Sequence, residues 1–194
     1  MNAAELHARA TEGFGKLVAA VTDSRWSDPT PDTEWDVRAL VRHLTYEQLW
    51  MPPLVTDGLS VPDVGDRYEG DILGNDPKAA WEAAAKDAVA SVSGSGALER
   101  MVHLSGRDVT GERYAQEVFC DLAVHAWDLA VAIGADDMMD PVLLDAVWEV
   151  GRPMVDEWRG FGVFGELVPT PDEADKQTKL LAHYGRRRSW APPL

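Results

Sequence analysis

Residues Glu117–Gly134 read EVFCDLAVHAWDLAVAIG, and this run decides the fold class. Its apolar residues recur every three or four positions, the spacing of a helix with one buried side. With Tyr114 ahead of it, the stripe passes through Val118, Leu122, His125, Leu129 and Ala132. Asp121 stands at the edge of that stripe, one turn before His125. Burying a lone carboxylate is costly, so an acid in this place needs a partner or a cation. An i, i+4 pair sets two side chains on one face, about 5–6 Å apart at Cβ, which suits two ligands of a single ion.

The same arrangement occurs upstream, in WDVRALVRHLTYEQLW (Trp35–Trp50). Val37, Leu40, Val41 and Leu44 mark its inner face. His43 and Glu47 lie within or beside that face, again at i, i+4, with Trp50 a further turn along. In a bundle, such pairs project inward from facing helices and meet at one point. A lone imidazole on an apolar face ordinarily serves a core hydrogen bond, and a lone Asp-x-x-x-His occurs by chance on surface helices. Two His/acid pairs on two inward faces point instead to a shared metal site. Of the other histidines, His7 and His183 read as solvated. His103 falls on a short strand, with no site role expected.

Three more segments carry helical periodicity. Ala3–Thr22 presents Leu6, Ala10, Phe14, Leu17, Val18 and Val21. Asp76-Pro77, a cap followed by proline at the first helical position, opens a helix with Trp81, Ala84, Ala85, Ala88 and Val89. Asp140-Pro141 repeats that signal before a helix carrying Leu144, Val147, Trp148, Met154, Val155 and Trp158. The loop SDPTPDTEWD precedes the His43 helix. Thr33 is its expected cap, with Asp36 as capping-box partner, and Pro52-Pro53 its expected end. A polar, Gly-rich connection follows over 56–75. Met101–Leu104 and Asp108–Thr110 read as two short strands about a Gly turn. The Gly- and Pro-rich tail from Gly160 holds one short helix around Asp175–His183. With no repeat and no linker, residues 1–194 read as a single all-α domain: a helix bundle with an additional C-terminal helix and a small β-hairpin.

The net charge of −15 disfavours a nucleic-acid backbone or an anionic membrane as partner. Arg186, Arg187 and Arg188 form a local basic patch, read as a solvated tail. No secretory signal or membrane span is visible, and the one cysteine, Cys120, reads as a small buried filler. The expected location is the cytoplasm.

PTPDTEWDVRALVRHL around His43, AVHAWDLA around His125 and the closing PTPDEADKQTKLLAHYGRRRSW carry a family resemblance. Over nearly its whole length the chain resembles the actinobacterial DinB-like metal-binding proteins, relatives of the N-terminal domain of mycothiol-dependent maleylpyruvate isomerase. The resemblance implies a four-helix bundle holding an inward-facing divalent metal ion, zinc first and nickel second. The family's ligands are a His of the second helix and an acid-x-x-x-His pair of a later helix, which match His43, Asp121 and His125. In isomerase-like members the acid is typically Glu, and Asp121 is one methylene shorter.

Two imidazoles and a carboxylate leave at least one coordination position open, the mark of a catalytic metal. Glu47 would lie near that position as a fourth ligand, a general base or a partner of His43. Asp128, one turn beyond His125, could fix its ring or pair with an arginine such as Arg38. Two readings of function follow. One is a metal-dependent transferase or isomerase using a low-molecular-weight thiol of the mycothiol type. The other is a non-catalytic metal- or ligand-binding module with a regulatory or stress role. The expected partners are a small-molecule substrate, a thiol among the candidates, and optionally a second copy in a homodimer, with no nucleic acid and no membrane.

Overall fold

In the structure, a computed structural model describing residues 1–159 and 166–192, the chain is mostly helical with one two-stranded antiparallel sheet. Helix α1 (Ala3–Ala20) starts at Asn2. The Asn2 side chain accepts from the Glu5 N–H, and Glu5 accepts from the Asn2 N–H, each at 2.9 Å. Leu6, Ala10, Phe14 and Val18 are buried as expected. His7 corrects the sequence reading: it is fully buried rather than solvated. Its Nε2–H donates to Gln48 at 2.9 Å, and Thr11 Oγ1 lies 3.4 Å away. Burial lowers its pKa to about 4, against the opposing hydrogen bond to Gln48.

Helix α2 (Val37–Met51) is capped by Asp36, not Thr33. Asp36 accepts from the Ala39 N–H at 2.8 Å. The loop before it doubles back, so the Val37 and Arg38 N–H groups donate to the Asp28 and Trp26 carbonyls at 3.0 and 2.8 Å. That tertiary return moves the helix start past Thr33. At Pro52 the winding widens into a π turn over Pro52–Thr56. The connection over 56–75 contains a single turn, α3 (Val61–Val64), and is tied to α2 by Arg38 to Asp71 and Gly74 and by Arg42 to Gly70.

Helix α4 (Pro77–Ser93) begins at Asp76, as expected, and buries Trp81, Ala84, Ala85, Ala88 and Val92. The close approach to α1 is made at Gly15 of α1, against Trp81. A Cβ on Gly15 would stand 3.0 Å from the Trp81 indole nitrogen. Strands β1 (Met101–Leu104) and β2 (Arg107–Thr110) pair antiparallel, with Met101 opposite Thr110. Helix α5 (Gly111–Ala132) follows at once, capped by Thr110. Glycine is required at its first position: a Cβ there would lie 2.0 Å from the Ala97 carbonyl oxygen. The expected fifth helix is α6 (Pro141–Ala146) and α7 (Arg152–Arg159), joined by a second π turn over Val147–Gly151. Helix α8 (Lys176–His183) matches the expected short C-terminal helix; residues 160–165 of the tail lie outside the described residues.

Helix α1 packs on α5 and α4, and α2 packs on α4 and α5. Helix α5 is therefore lined by neighbours along most of its length, which explains why its polar face residues end up inside. Among the described residues no helix is long and apolar enough to cross a membrane.

Candidate metal centre

Helices α2 and α5 bring the two His/acid faces together. His43 Nε2 donates to Asp121 Oδ2 at 3.0 Å, and His125 Nε2 lies 3.4 Å from Asp121 Oδ1. The two imidazoles meet edge to face with centroids 5.4 Å apart. One ligand atom from each of His43, Asp121 and His125 lies within 4.8 Å of the other two. Atoms each ~2.1 Å from a tetrahedral ion stand about 3.4 Å apart, so closure draws the widest pair together by up to about 1.4 Å, within reach of side-chain rotation. The donor chemistry fits as well: two imidazole nitrogens and one carboxylate are a zinc- or nickel-type set.

The orientation of His125 is prepared from behind. Its Nδ1–H donates to Asp128 at 2.8 Å, which leaves Nε2 to face Asp121 and His43. Asp128 is fully buried. Its second partner is Arg186, whose Nη2 lies 2.9 Å from Asp128 Oδ2 and 3.2 Å from Asp32 Oδ2. Arg186 Nη1 also donates to the Tyr184 carbonyl at 3.0 Å. So the expectation of a solvated arginine tail fails at Arg186. It returns under α5 and closes a chain of contacts, Arg186–Asp128–His125. Both roles weighed for Asp128 hold at once, with Arg186 in place of Arg38.

Electrostatics follow from this geometry. Burial alone would raise the Asp121 carboxyl, but His125 and His43 hold it well below the usual carboxylate range. Burial likewise opposes charge on His125, yet Asp121 and Asp128 outweigh it and push its pKa up to about 9. The cluster thus holds a proton where a cation would take its place. Glu47, one turn from His43 on α2, stands apart from the three-atom cluster but lines the same cavity. No hydrogen bond or ion pair among the described residues reaches it. Burial and, after it, Asp121 raise its pKa to about 7, against the pull of His43.

The cavity is a cleft of about 1090 Å³ with the cluster on its floor. Trp35, Tyr46, Trp50, Tyr114, Trp158 and Tyr184 supply aromatic wall. Trp35 sits over both imidazoles, with centroids 4.7 Å from His43 and 5.5 Å from His125. It is held by its own loop: the Trp35 carbonyl accepts from Thr30 Oγ1 at 2.8 Å, and its N–H donates to Asp32 at 2.9 Å. Hairpin residue Arg107 reaches the cleft and grips Glu117 with two bonds of 2.8 and 2.7 Å.

Trp35 and Arg186 were missed from sequence as site residues. The only signal for either was its place inside a quoted motif. The remaining histidines stay outside the centre. His103 bonds Asp108 within the hairpin at 2.9 Å. His183, expected in solvent, is only 12% exposed and lies 3.0 Å from Asp156. Cys120 is buried beneath the site and its thiol is pushed up by burial, so it is a filler, as expected.

Known proteins place this geometry in context. Two uncharacterized proteins of Mycobacterium tuberculosis, one from each of two strains, are 30% identical to the chain over 191 residues, covering 93% of it and 95% of each relative. The crystal structure of a histidine-to-alanine mutant of the mycothiol-dependent maleylpyruvate isomerase superposes with a TM-score of 0.63 at 16% identity, covering 89% of this chain and 77% of that one, so the fold is shared. The family model for the mycothiol maleylpyruvate isomerase N-terminal domain matches residues 7–130, a span that includes His43, Asp121 and His125. The chain therefore belongs to the mycothiol maleylpyruvate isomerase N-terminal domain family.

Proposed function

We propose that this chain binds one divalent metal ion through His43, Asp121 and His125, zinc before nickel, and uses it to handle a low-molecular-weight thiol in a transfer or isomerisation reaction. In this reading α1, α2, α4 and α5 are the DinB-like four-helix bundle of a single domain. The observation that carries it is the convergence of three metal-type donors on the floor of an open cleft, beside an unpartnered acid. A bound divalent ion would supply a Lewis-acidic position that favours thiolate over thiol.

The chain's own residues do the rest. Asp128 and Arg186 hold the His125 ring with Nε2 toward the floor. Trp35 shields both imidazoles from water on one side. Glu47 takes the thiol proton: the S–H bond breaks, the sulfur keeps the electron pair, and the proton moves to the carboxylate. A carboxyl near pKa 7 suits that role, since it accepts a proton and releases it again near neutrality. The alternative of a non-catalytic module with Glu47 as fourth ligand finds less support, because Glu47 is outside the donor cluster and the cleft stays open.

The test is cobalt-substituted protein titrated with mycothiol or a simpler thiol. The expected result is a sulfur-to-metal charge-transfer band. Glu47→Gln should retain full metal content but form the band more slowly. Absence of the band at saturating thiol would leave only the binding-module reading.

A further inference from the structure

The cleft has two arginines on its walls, and both are engaged. Arg107 gives both terminal nitrogens to Glu117, which also takes a 2.8 Å bond from Arg113 Nε. Arg186 is 15% exposed at its side chain and lies between Asp128 and Asp32. Of the six carboxylates on the same lining, Asp32, Glu117 and Asp121 are paired. Glu34, Glu47 and Glu166 line the same cleft, Glu34 and Glu166 exposed and Glu47 partly buried, and among the described residues none of the three has a hydrogen bond or ion pair.

This distribution bears on what can enter beside the thiol. On the proposed reading, Asp121 and a bound thiolate would match the two charges of a divalent ion, so the floor would carry no surplus positive charge. A carboxylate-bearing ligand would then have to displace Glu117 from Arg107, or Asp128 and Asp32 from Arg186. Otherwise it would sit unpaired beside like charges, which costs free energy at short range in a partly desolvated site. An ammonium group meets the reverse: free carboxylates, and aromatic faces that attract cations. An apolar body is accommodated by the same rings.

We propose that the second ligand of this cleft is an organic molecule with an apolar body and a cationic or uncharged polar end, and that mono- and dicarboxylates are selected against. The proposal rests on the cleft being the ligand site read above, and deepens that reading by naming the charge class it accepts.

The experiment is a titration of three ligands of one skeleton, phenethylamine, 2-phenylethanol and 3-phenylpropanoate, followed by tryptophan fluorescence from Trp35, Trp50 and Trp158. It is run on chelator-treated protein and again on zinc-loaded, thiol-saturated protein. The amine should bind at least tenfold more tightly than the carboxylate in the chelator-treated protein, about 1.4 kcal/mol, and by a smaller margin in the thiol-saturated protein, where Glu47 holds the thiol proton. In the double variant Glu34→Gln, Glu47→Gln, with unchanged circular dichroism, that ratio should shrink to within about threefold. Carboxylate binding equal to or tighter than amine binding would overturn the proposal, as would an unchanged ratio in the double variant. Lack of saturable quenching by all three up to about 10 mM would overturn it too. Failure of the thiol reading shows separately, as a missing charge-transfer band in the cobalt protein, and leaves the chelator-treated titration standing.

Discussion

Replacing Arg186 with Met should destabilise the fold and loosen the metal centre together. The guanidinium spans Asp128, Asp32 and the Tyr184 carbonyl, at 2.9, 3.2 and 3.0 Å. Asp128 is fully buried, and without Arg186 its remaining partner is the His125 Nδ1–H at 2.8 Å. Removing one member of a buried ion pair ordinarily costs about 3–5 kcal/mol. Asp128 keeps one hydrogen bond and Met keeps the apolar stem in place, so the low end applies, roughly 3 kcal/mol. For a chain of this length that lowers the melting temperature by about 6–12 °C. Asp128 can escape the cost by taking a proton, but it then holds the His125 ring less firmly. Zinc affinity should fall by about 10–100-fold, the usual effect of losing a group that orients a metal ligand. Urea unfolding followed by far-ultraviolet circular dichroism reads the first effect, and competition with a chromophoric chelator reads the second. Arg186→Lys should fall between, because a point charge can serve Asp128 or Asp32 but not both with good geometry. A loss below about 1 kcal/mol with unchanged zinc affinity would refute the reasoning.

Other outcomes follow from the same geometry. His125→Ala should abolish stoichiometric zinc binding yet keep helical circular dichroism and cooperative unfolding, because the stripes of α1, α2, α4 and α5 pack without the ion; loss of cooperativity would mean a structural metal. Zinc affinity should rise roughly tenfold per pH unit between about pH 6 and 8, because His125, pushed up to about 9, must release its proton to bind the metal; a flat profile by chelator competition would contradict this. His7 gives a stability signature of its own. Its folded pKa of about 4 lies below the unfolded value of 6.5, so the unfolded chain gains the proton first and stability falls as pH drops from 6.5 toward 4. The loss is about 2 kcal/mol at pH 5, and His7→Gln should flatten that slope in denaturant midpoints measured across pH.

What could be read from the chain alone was local or periodic. The stripes of α1, α2, α4 and α5, the Asp76 and Asp140 caps and the hairpin turn depend on residues within a few positions of each other. The i, i+4 spacing likewise put His43 and Glu47, and Asp121 and His125, on shared faces before any contact was known. That His43 faces Asp121 across 78 residues was an inference from two inward faces, and helix packing supplied the distance. Three readings from the sequence were corrected by the fold. Thr33 was the expected cap and Asp36 its partner, but a loop that returns its carbonyls to Val37 and Arg38 moves the start to Asp36. His7 adjoins the apolar stripe, and only the opposing Gln48 on α2 makes it a core residue. Arg186 reads as one of three tail arginines, since its partners Asp128 and Asp32 lie 58 and 154 residues away. Periodicity reports which face of a segment is apolar. Which charge that face meets is decided by the path of the distant chain, because a buried ion pair forms only where packing brings both charges out of water.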